Sequence, residues 1–290
     1  MHFVDQNRHR WPAKTLCRVM GVSEGGYYKH VKFRPDGTRH ADLLAQIYEV
    51  LKEEPENANY GVRRIYLALK LNKGYRGSFS TVYRVCRKNG LMIKRKRKPN
   101  GITRANATAQ KSENLIKQNF MSAAPNRKWL SDITEIPCSD GKLYLSAILD
   151  CYDGKIVGFC MEDHMRASLC RRTFDIACMK ENAFGMVFHS DRGSQYTSCE
   201  FRTALEHCGA IQSMSGTGRC YDNARMESFF ATLKKEKLYR INTVSRGMDD
   251  VKSIVYRYIS YYNLRRIYST NGGYPPEKFR QAYYERQKVA

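Results

Sequence analysis

Between Lys128 and Glu162 the chain carries three apolar runs, KWLSDITEIP, LYLSAILD and KIVGFCME, joined by tight turns at Ser139-Asp140-Gly141 and Tyr152-Asp153-Gly154. Runs this short, separated by Gly-bearing turns, pair most simply as an antiparallel meander. A helical stretch then runs from Ser168 to Lys180, followed by the strand GMVFHS, a helix from Glu200 to Cys208 and the short strand IQSM. After the glycine-rich loop SGTGRC, the pattern predicts a helix from Asp222 to Lys237. The order βββαβαβα predicts an α/β fold in which a mixed sheet of five strands is flanked by helices.

Upstream the texture is helical. In AKTLCRVMGVSEGGYYK, Leu16, Val19 and Met20 fall at helical spacing, Gly21 interrupts them, and Ser23 is placed to cap a second short helix. The result is a helix-turn-helix pattern. Leu43, Leu44, Ile47 and Val50 mark one face of a further helix, and Val62, Ile65, Leu67 and Leu69 one beginning near Tyr60. Ser78 or Ser80 caps another that ends at Gly90; its Val82, Val85 and Cys86 face inward and its Arg84, Arg87 and Lys88 outward. A helix laid on a phosphate backbone or in a major groove needs that polarity. Five consecutive cations follow, Lys94, Arg95, Lys96, Arg97 and Lys98, and then a linker rich in Pro, Gly, Asn and Thr. Beyond the sheet region, VKSIVYRYISYYN predicts one more long helix and YPPEKF a Pro-anchored end. The domain boundaries expected from these changes are 1–35, 36–98, 99–124 (linker), 125–247 (sheet core) and 248–290 (helical extension).

Charge narrows the class of partner. The chain holds 50 Lys and Arg against 28 Asp and Glu, a net charge of +22. Residues 1–118 carry 25 basic and 9 acidic side chains, residues 119–290 carry 25 and 19, so the helical part holds most of the excess. Nucleic acid fits this asymmetry, because each phosphate neutralised releases counterions. An anionic membrane would attract the same charge, but no stretch approaches 18 consecutive apolar residues. The start MHFVDQNRHR is too polar for a secretory signal, so a cytoplasmic location is expected. Ten cysteines are scattered without a CxxC pair, which supports neither a zinc site nor a disulfide framework.

Three acids stand at special places in this order of elements. Asp132 lies in the middle of the first strand, Asp191 at the tip of the fourth in FHSDRGSQY, and Glu227 in the first turns of the helix after the fifth strand, in DNARMESFF. Singly each has an ordinary reading: a solvent-facing strand residue, a turn former, an acid favoured by the helix dipole. An adjacent parallel pairing of first and fourth strands would bring all three together. Converging carboxylates need a cation, and hard oxygen ligands suit two Mg²⁺ or Mn²⁺ ions that clamp an in-line phosphoryl displacement. Ser190 and His189 then have supporting roles at most. Lys234 follows Glu227 by two helical turns on nearly the same face, where a cation would meet phosphates.

WLSDITEIP, FHSDRGSQYTS and SMSGTGRCYDNARMESFFATLKKE resemble the three catalytic blocks of bacterial insertion-sequence transposases of the IS-three family, relatives of retroviral integrases. That family's signature is Asp, Asp and Glu with 35 residues between the last two, and Asp191 and Glu227 have that interval here. LCRVMGVSEGGYYK and YGVRRIYLALK resemble its N-terminal helical region, and YYNLRRIYSTNGGYPPEKF its C-terminal block. The resemblance implies a ribonuclease-H-like core, two divalent metals on Asp132, Asp191 and Glu227, and DNA contact by Lys234, with His189, Arg192 and Trp129 in support. It also implies a homo-oligomer acting on terminal repeats and target DNA at the bacterial nucleoid. The chain resembles the downstream, OrfB-type product of such elements, so a partner or frameshift fusion from an upstream frame is expected. Two alternatives remain at this level: a ribonuclease-H-like nuclease without strand transfer, and a catalytically silent DNA-binding regulator of transposition.

Overall fold

The computed structural model describes residues 1–32, 40–93, 112–216 and 220–289. Six helices precede the sheet among these residues: α1 (His2–Asn7), α2 (Ala13–Val19), α3 (Glu24–Lys32), α4 (Ala41–Lys52), α5 (Val62–Asn72) and α6 (Phe79–Lys88). The strands are β1 (Lys128–Cys138), β2 (Gly141–Asp150), β3 (Ile156–Glu162), β4 (Val187–Ser190) and β5 (Ile211–Met214). Between them lie α7 (Ala167–Cys178), α8 (Ser194–Thr197) and α9 (Cys199–His207), and after them α10 (Ala224–Glu236), α11 (Met248–Leu264) and α12 (Pro276–Val289). Two compact units emerge, Met1–Glu49 with Gly77–Leu91, and Val50–Arg76 with Met92–Ala290. No helix among the described residues is long and apolar enough to cross a membrane.

In the first unit α1, α2 and α3 bury Val4, Leu16, Cys17 and Tyr27 together, and the Tyr27 hydroxyl donates to Asp5 Oδ1 at 3.2 Å. Ser23 Oγ accepts from the Gly26 N–H at 3.0 Å, the expected cap. Val19 and Met20 do not join this core: they are 75% and 45% exposed. Helix α2 is only two turns long, and the face it buries is the one carrying Leu16 and Cys17. In α6 the expected polarity is present. Ser78 Oγ accepts from the Thr81 N–H, Val82, Val85 and Cys86 are buried, and Arg84, Arg87 and Lys88 are exposed.

The second unit is built on a five-stranded sheet in the order β3-β2-β1-β4-β5. The first three strands form the predicted antiparallel meander, with Trp129 opposite Asp150 and Cys138 opposite Gly141. Strands β4 and β5 then run parallel to β1, with Leu130 beside His189 and Ser190 beside Met214. One face of the sheet packs against α7 and α9 through Trp129, Phe174, Phe188, Tyr196 and Phe201, whose rings meet largely edge to face. Gly158 on β3 lets α7 come close, since a Cβ there would lie 2.7 Å from the Thr173 carbonyl and 2.8 Å from Ala177 Cβ.

Helix α12 exceeds the Pro-anchored end read from YPPEKF. Phe279 and Tyr283 pack on Tyr152, at ring separations of 5.4 and 5.2 Å, and beside them lies a buried charge cluster. The Arg280 guanidinium reaches Asp150 at 2.6 Å, Asp153 at 2.7 Å and Glu181 at 2.6 Å, and Lys155 adds bonds to Glu181 at 2.9 Å and Glu277 at 2.8 Å. Burial raises the Asp150 carboxyl to about 6, against the pull of Arg280. Removing Arg280 strands Asp150 and Asp153 in a dry site and leaves Glu181 to Lys155 alone. We expect Arg280→Leu to cost about 3–5 kcal/mol in chemical denaturation, and Arg280→Lys to recover only part, because an ammonium cannot fork to three carboxylates.

Candidate active site

The parallel register of β1 and β4 decides which side chains meet. With Leu130 beside His189, two further residues along each strand bring Asp132 alongside Asp191, just past the last pair of the ladder. His189, on the same face, is fully buried, and each ring nitrogen has a hydroxyl partner: Nδ1 with Ser213 Oγ at 2.9 Å and Nε2 with Ser215 Oγ at 3.2 Å. Burial lowers its imidazole to about 4, with Asp222 opposing, so it is neutral at physiological pH and pins β4 to the strand and loop beside it. The Ser190 hydroxyl donates to the Asp191 carbonyl at 3.0 Å, and Arg192 Nε donates to the Ser215 carbonyl at 2.5 Å. The turn that presents Asp191 is thereby held from both sides.

Helix α10 supplies the third acid. It packs on β1, and Asn223, immediately before it, donates from Nδ2 to the Ser131 carbonyl at 3.0 Å. Asp222 is buried too and accepts from Asn114 Nδ2 at 2.8 Å and the Gly216 N–H at 3.0 Å. Glu227 then lies in the first turn of α10, exposed, and Lys234 lies half-buried two turns on.

Electrostatics connects these groups. Burial raises the Asp132 carboxyl to about 7, the charge of Asp191 and then of Glu227 adds to the rise, and the Ile133 N–H and Lys234 oppose it. Burial in turn lowers the Lys234 ammonium, while Asp132 and Glu135 favour its charge. Asp132, Asp191, Glu227 and Lys234 therefore share one field. Asp132 Oδ1 accepts from the Ile133 N–H at 2.8 Å and Asp191 Oδ1 from the Gly193 N–H at 3.0 Å. Among the described residues no three His, Cys, Asp or Glu side chains are drawn together tightly enough to hold a metal ion.

The remaining sequence candidates fall elsewhere. Trp129 is sealed in the core on the opposite face of β1, 6.4 Å from the Phe174 ring. Arg84, Arg87 and Lys88 belong to the first unit. Lys94, Arg95, Lys96, Arg97 and Lys98 lie outside the described residues. Sequence reasoning missed Asn223, which reads as an ordinary helix cap, and Glu236, hidden in the charged run KKEK but buried in the fold.

A family model described as an integrase core domain matches residues 122–220, a second of the same description matches 209–276, and one described as an HTH-like domain matches 39–99. Among curated proteins the chain is 35% identical to "Insertion element IS600 uncharacterized 31 kDa protein" of Shigella sonnei, covering 93% of this chain and 99% of that one. It is 30% identical to "Transposase InsF for insertion sequence IS3A" of Escherichia coli, covering 96% of each. Among solved structures it is similar to the catalytic core domain of HTLV-2 integrase in complex with magnesium, at a TM-score of 0.40 and 15% identity, covering 55% of this chain and 98% of that one.

The crowding of Asp132 has a measurable consequence. Its carboxyl ionises near 7 when folded against an ordinary 3.8, so its charge opposes folding. That penalty is absent below pH 4, grows as pH rises to 7 and is complete above it. In chelator-treated buffer Asp132→Asn is therefore expected to stabilise the protein more at pH 8 than at pH 4.5, by up to about 3 kcal/mol. A difference in melting temperature that stays constant with pH would show that the Asp132 carboxyl is not raised in the folded protein.

Proposed function

The chain belongs to the insertion-sequence transposases whose catalytic part is an integrase core domain, and from that premise we propose that it cuts and joins DNA at the ends of an insertion sequence. The observation that carries this reading is the parallel β1–β4 register, which sets Asp132 beside Asp191 with Glu227 and Lys234 in the same field.

The donor set fits hard divalent cations. Asp132 is kept partly protonated by burial first and then by the charges of Asp191 and Glu227, and the donors that these three residues offer are all oxygens. Asp132, Asp191 and Glu227 would hold two Mg²⁺ or Mn²⁺ ions. When bound, such a pair stabilises the attacking and leaving oxygens of an in-line phosphoryl displacement and helps deprotonate water or a 3′-hydroxyl. Asp132 projects from the middle of a strand, whereas Asp191 and Glu227 are exposed to solvent at element ends. Lys234 stands where it can engage a phosphate of the strand whose end lies at the acids. His189 is neutral, buried and bonded at both ring nitrogens, so its part is to hold the strand. Joining two ends to a target calls for more than one copy on DNA, and an upstream-frame partner or fusion would supply recognition of the terminal repeats.

The decisive assay combines purified protein, DNA ending in the element's terminal repeat and Mg²⁺ or Mn²⁺. Wild type is expected to give 3′-cut and joined products; Glu227→Gln is expected to lose at least a hundredfold, as removal of a group acting in phosphoryl transfer does. Cutting without joining would favour a nuclease, and full activity of Glu227→Gln would remove Glu227 from the chemistry.

Helix α6 generates a separate expectation. Replacing Arg84, Arg87 and Lys88 together by alanine should weaken DNA binding and flatten the plot of log affinity against log salt by about two to three units. An unchanged slope would mean that α6 faces away from DNA.

A further inference from the structure

Behind the acidic site, on another side of α10, lies a cavity of about 250 Å³ with no acid on its wall. Arg64 of α5, Arg225 of α10 and Arg266, just after α11, line it, together with the hydroxyl residues Ser228, Thr232, Ser269 and Thr270. The charges do not cancel. Arg64 and Arg266 share a single carboxylate, Glu236, at 3.0 and 2.8 Å. Among the described residues Arg225 is held by neutral groups: its Nη1 donates to the carbonyls of Phe120, at 3.2 Å, and Cys151, and Tyr268 hydrogen-bonds it as well. Three guanidiniums against one carboxylate leave two positive charges beside donor hydroxyls, within a half-buried wall where screening by water is weak.

Resting on the reading of the chain as a DNA-joining enzyme, we propose that this cavity is a phosphate-binding pocket that holds the backbone of a DNA strand away from the reacting end. The position favours a strand. Ser228 directly follows Glu227, and Thr232 is one turn further along α10, so one helix carries both an acid of the site and part of the cavity wall, and a strand crossing that helix meets both. Guanidiniums and hydroxyls are also the groups that position nucleic acid through its backbone without reading sequence.

Ser269 and Thr270 are exposed and provide a test that leaves the arginine network whole. The full chain carrying Ser269→Glu with Thr270→Glu is compared with wild type and with Ser269→Gln plus Thr270→Gln, in chelator-treated buffer so that no chemistry occurs. The probes are a 30-base-pair duplex and inorganic pyrophosphate. We expect the glutamates to weaken duplex binding about tenfold and reduce the salt slope by about one, with the glutamine control and all three melting temperatures near wild type. Pyrophosphate that stabilises wild type but not the glutamate variant, while duplex affinity is unchanged, would assign the pocket to a free anion and overturn the strand. Unchanged affinity for both probes, or a wild type that does not bind the duplex, would overturn the pocket altogether. Because binding is read without catalysis, these outcomes are independent of whether Glu227→Gln abolishes strand transfer.

Discussion

Glu236 is a carboxylate taken out of water at the last turn of α10, and the seat of that helix depends on how its charge is answered. Arg266 meets it with two parallel bonds of 2.8 and 2.9 Å, Arg64 lies at 3.0 Å, and the Tyr258 hydroxyl donates at 2.8 Å. Burial would raise this carboxyl; the two arginines carry it below its ordinary value. A buried pair of this kind adds little net stability over an apolar match, but any packing that strands one partner costs about 3–5 kcal/mol. Helix α10 is thus tied to α5 and α11 at one end and, through Asn223, to β1 at the other. Glu227 and Lys234 lie between these two fixed ends.

Two kinds of buried carboxylate follow from this plan. Glu236 and the Asp150–Asp153–Glu181 group each meet arginine in geometry that satisfies them, and they hold helices in place. Asp132 meets other acids, with Lys234 as partial compensation. The contrast lies in the partners: arginine answers the acids that seat helices, whereas the charges nearest Asp132 include two further acids, which is the setting in which the proposed metal ligands would draw a cation. The arginines differ in the same way: those of the Glu236 knot are partly spent on structure, whereas Arg225 is matched to no acid among the described residues.

Much of the sheet was legible because period and punctuation agree there. Three strands with Gly-bearing turns, then strand and helix alternating, leave one economical mixed sheet, and IQSM proved to be β5 to the residue. The acids were legible because each sits at a boundary between elements, where a register argument can be made. Helices whose anchors are polar were read poorly. Helix α12 is held in part by Arg280, and an arginine at helical spacing looks like surface until its three acids, from 99 to 130 positions away in sequence, are brought to it. In α2 the same periodicity that includes Leu16 also admits Val19 and Met20, and in two turns of helix period alone cannot choose the buried face.

Local pattern therefore determined the elements, their order and the acids at their junctions, since these depend on residues within a few positions of one another. Tertiary structure decided what no local pattern contains. The β1–β4 ladder set Asp132 beside Asp191, the Glu236 knot seated α10, and Trp129 and His189 became packing and pinning groups. The reason is physical: burial and charge compensation belong to the assembled fold, where a carboxylate's partner, whether an arginine or another acid, arrives from a distant part of the chain.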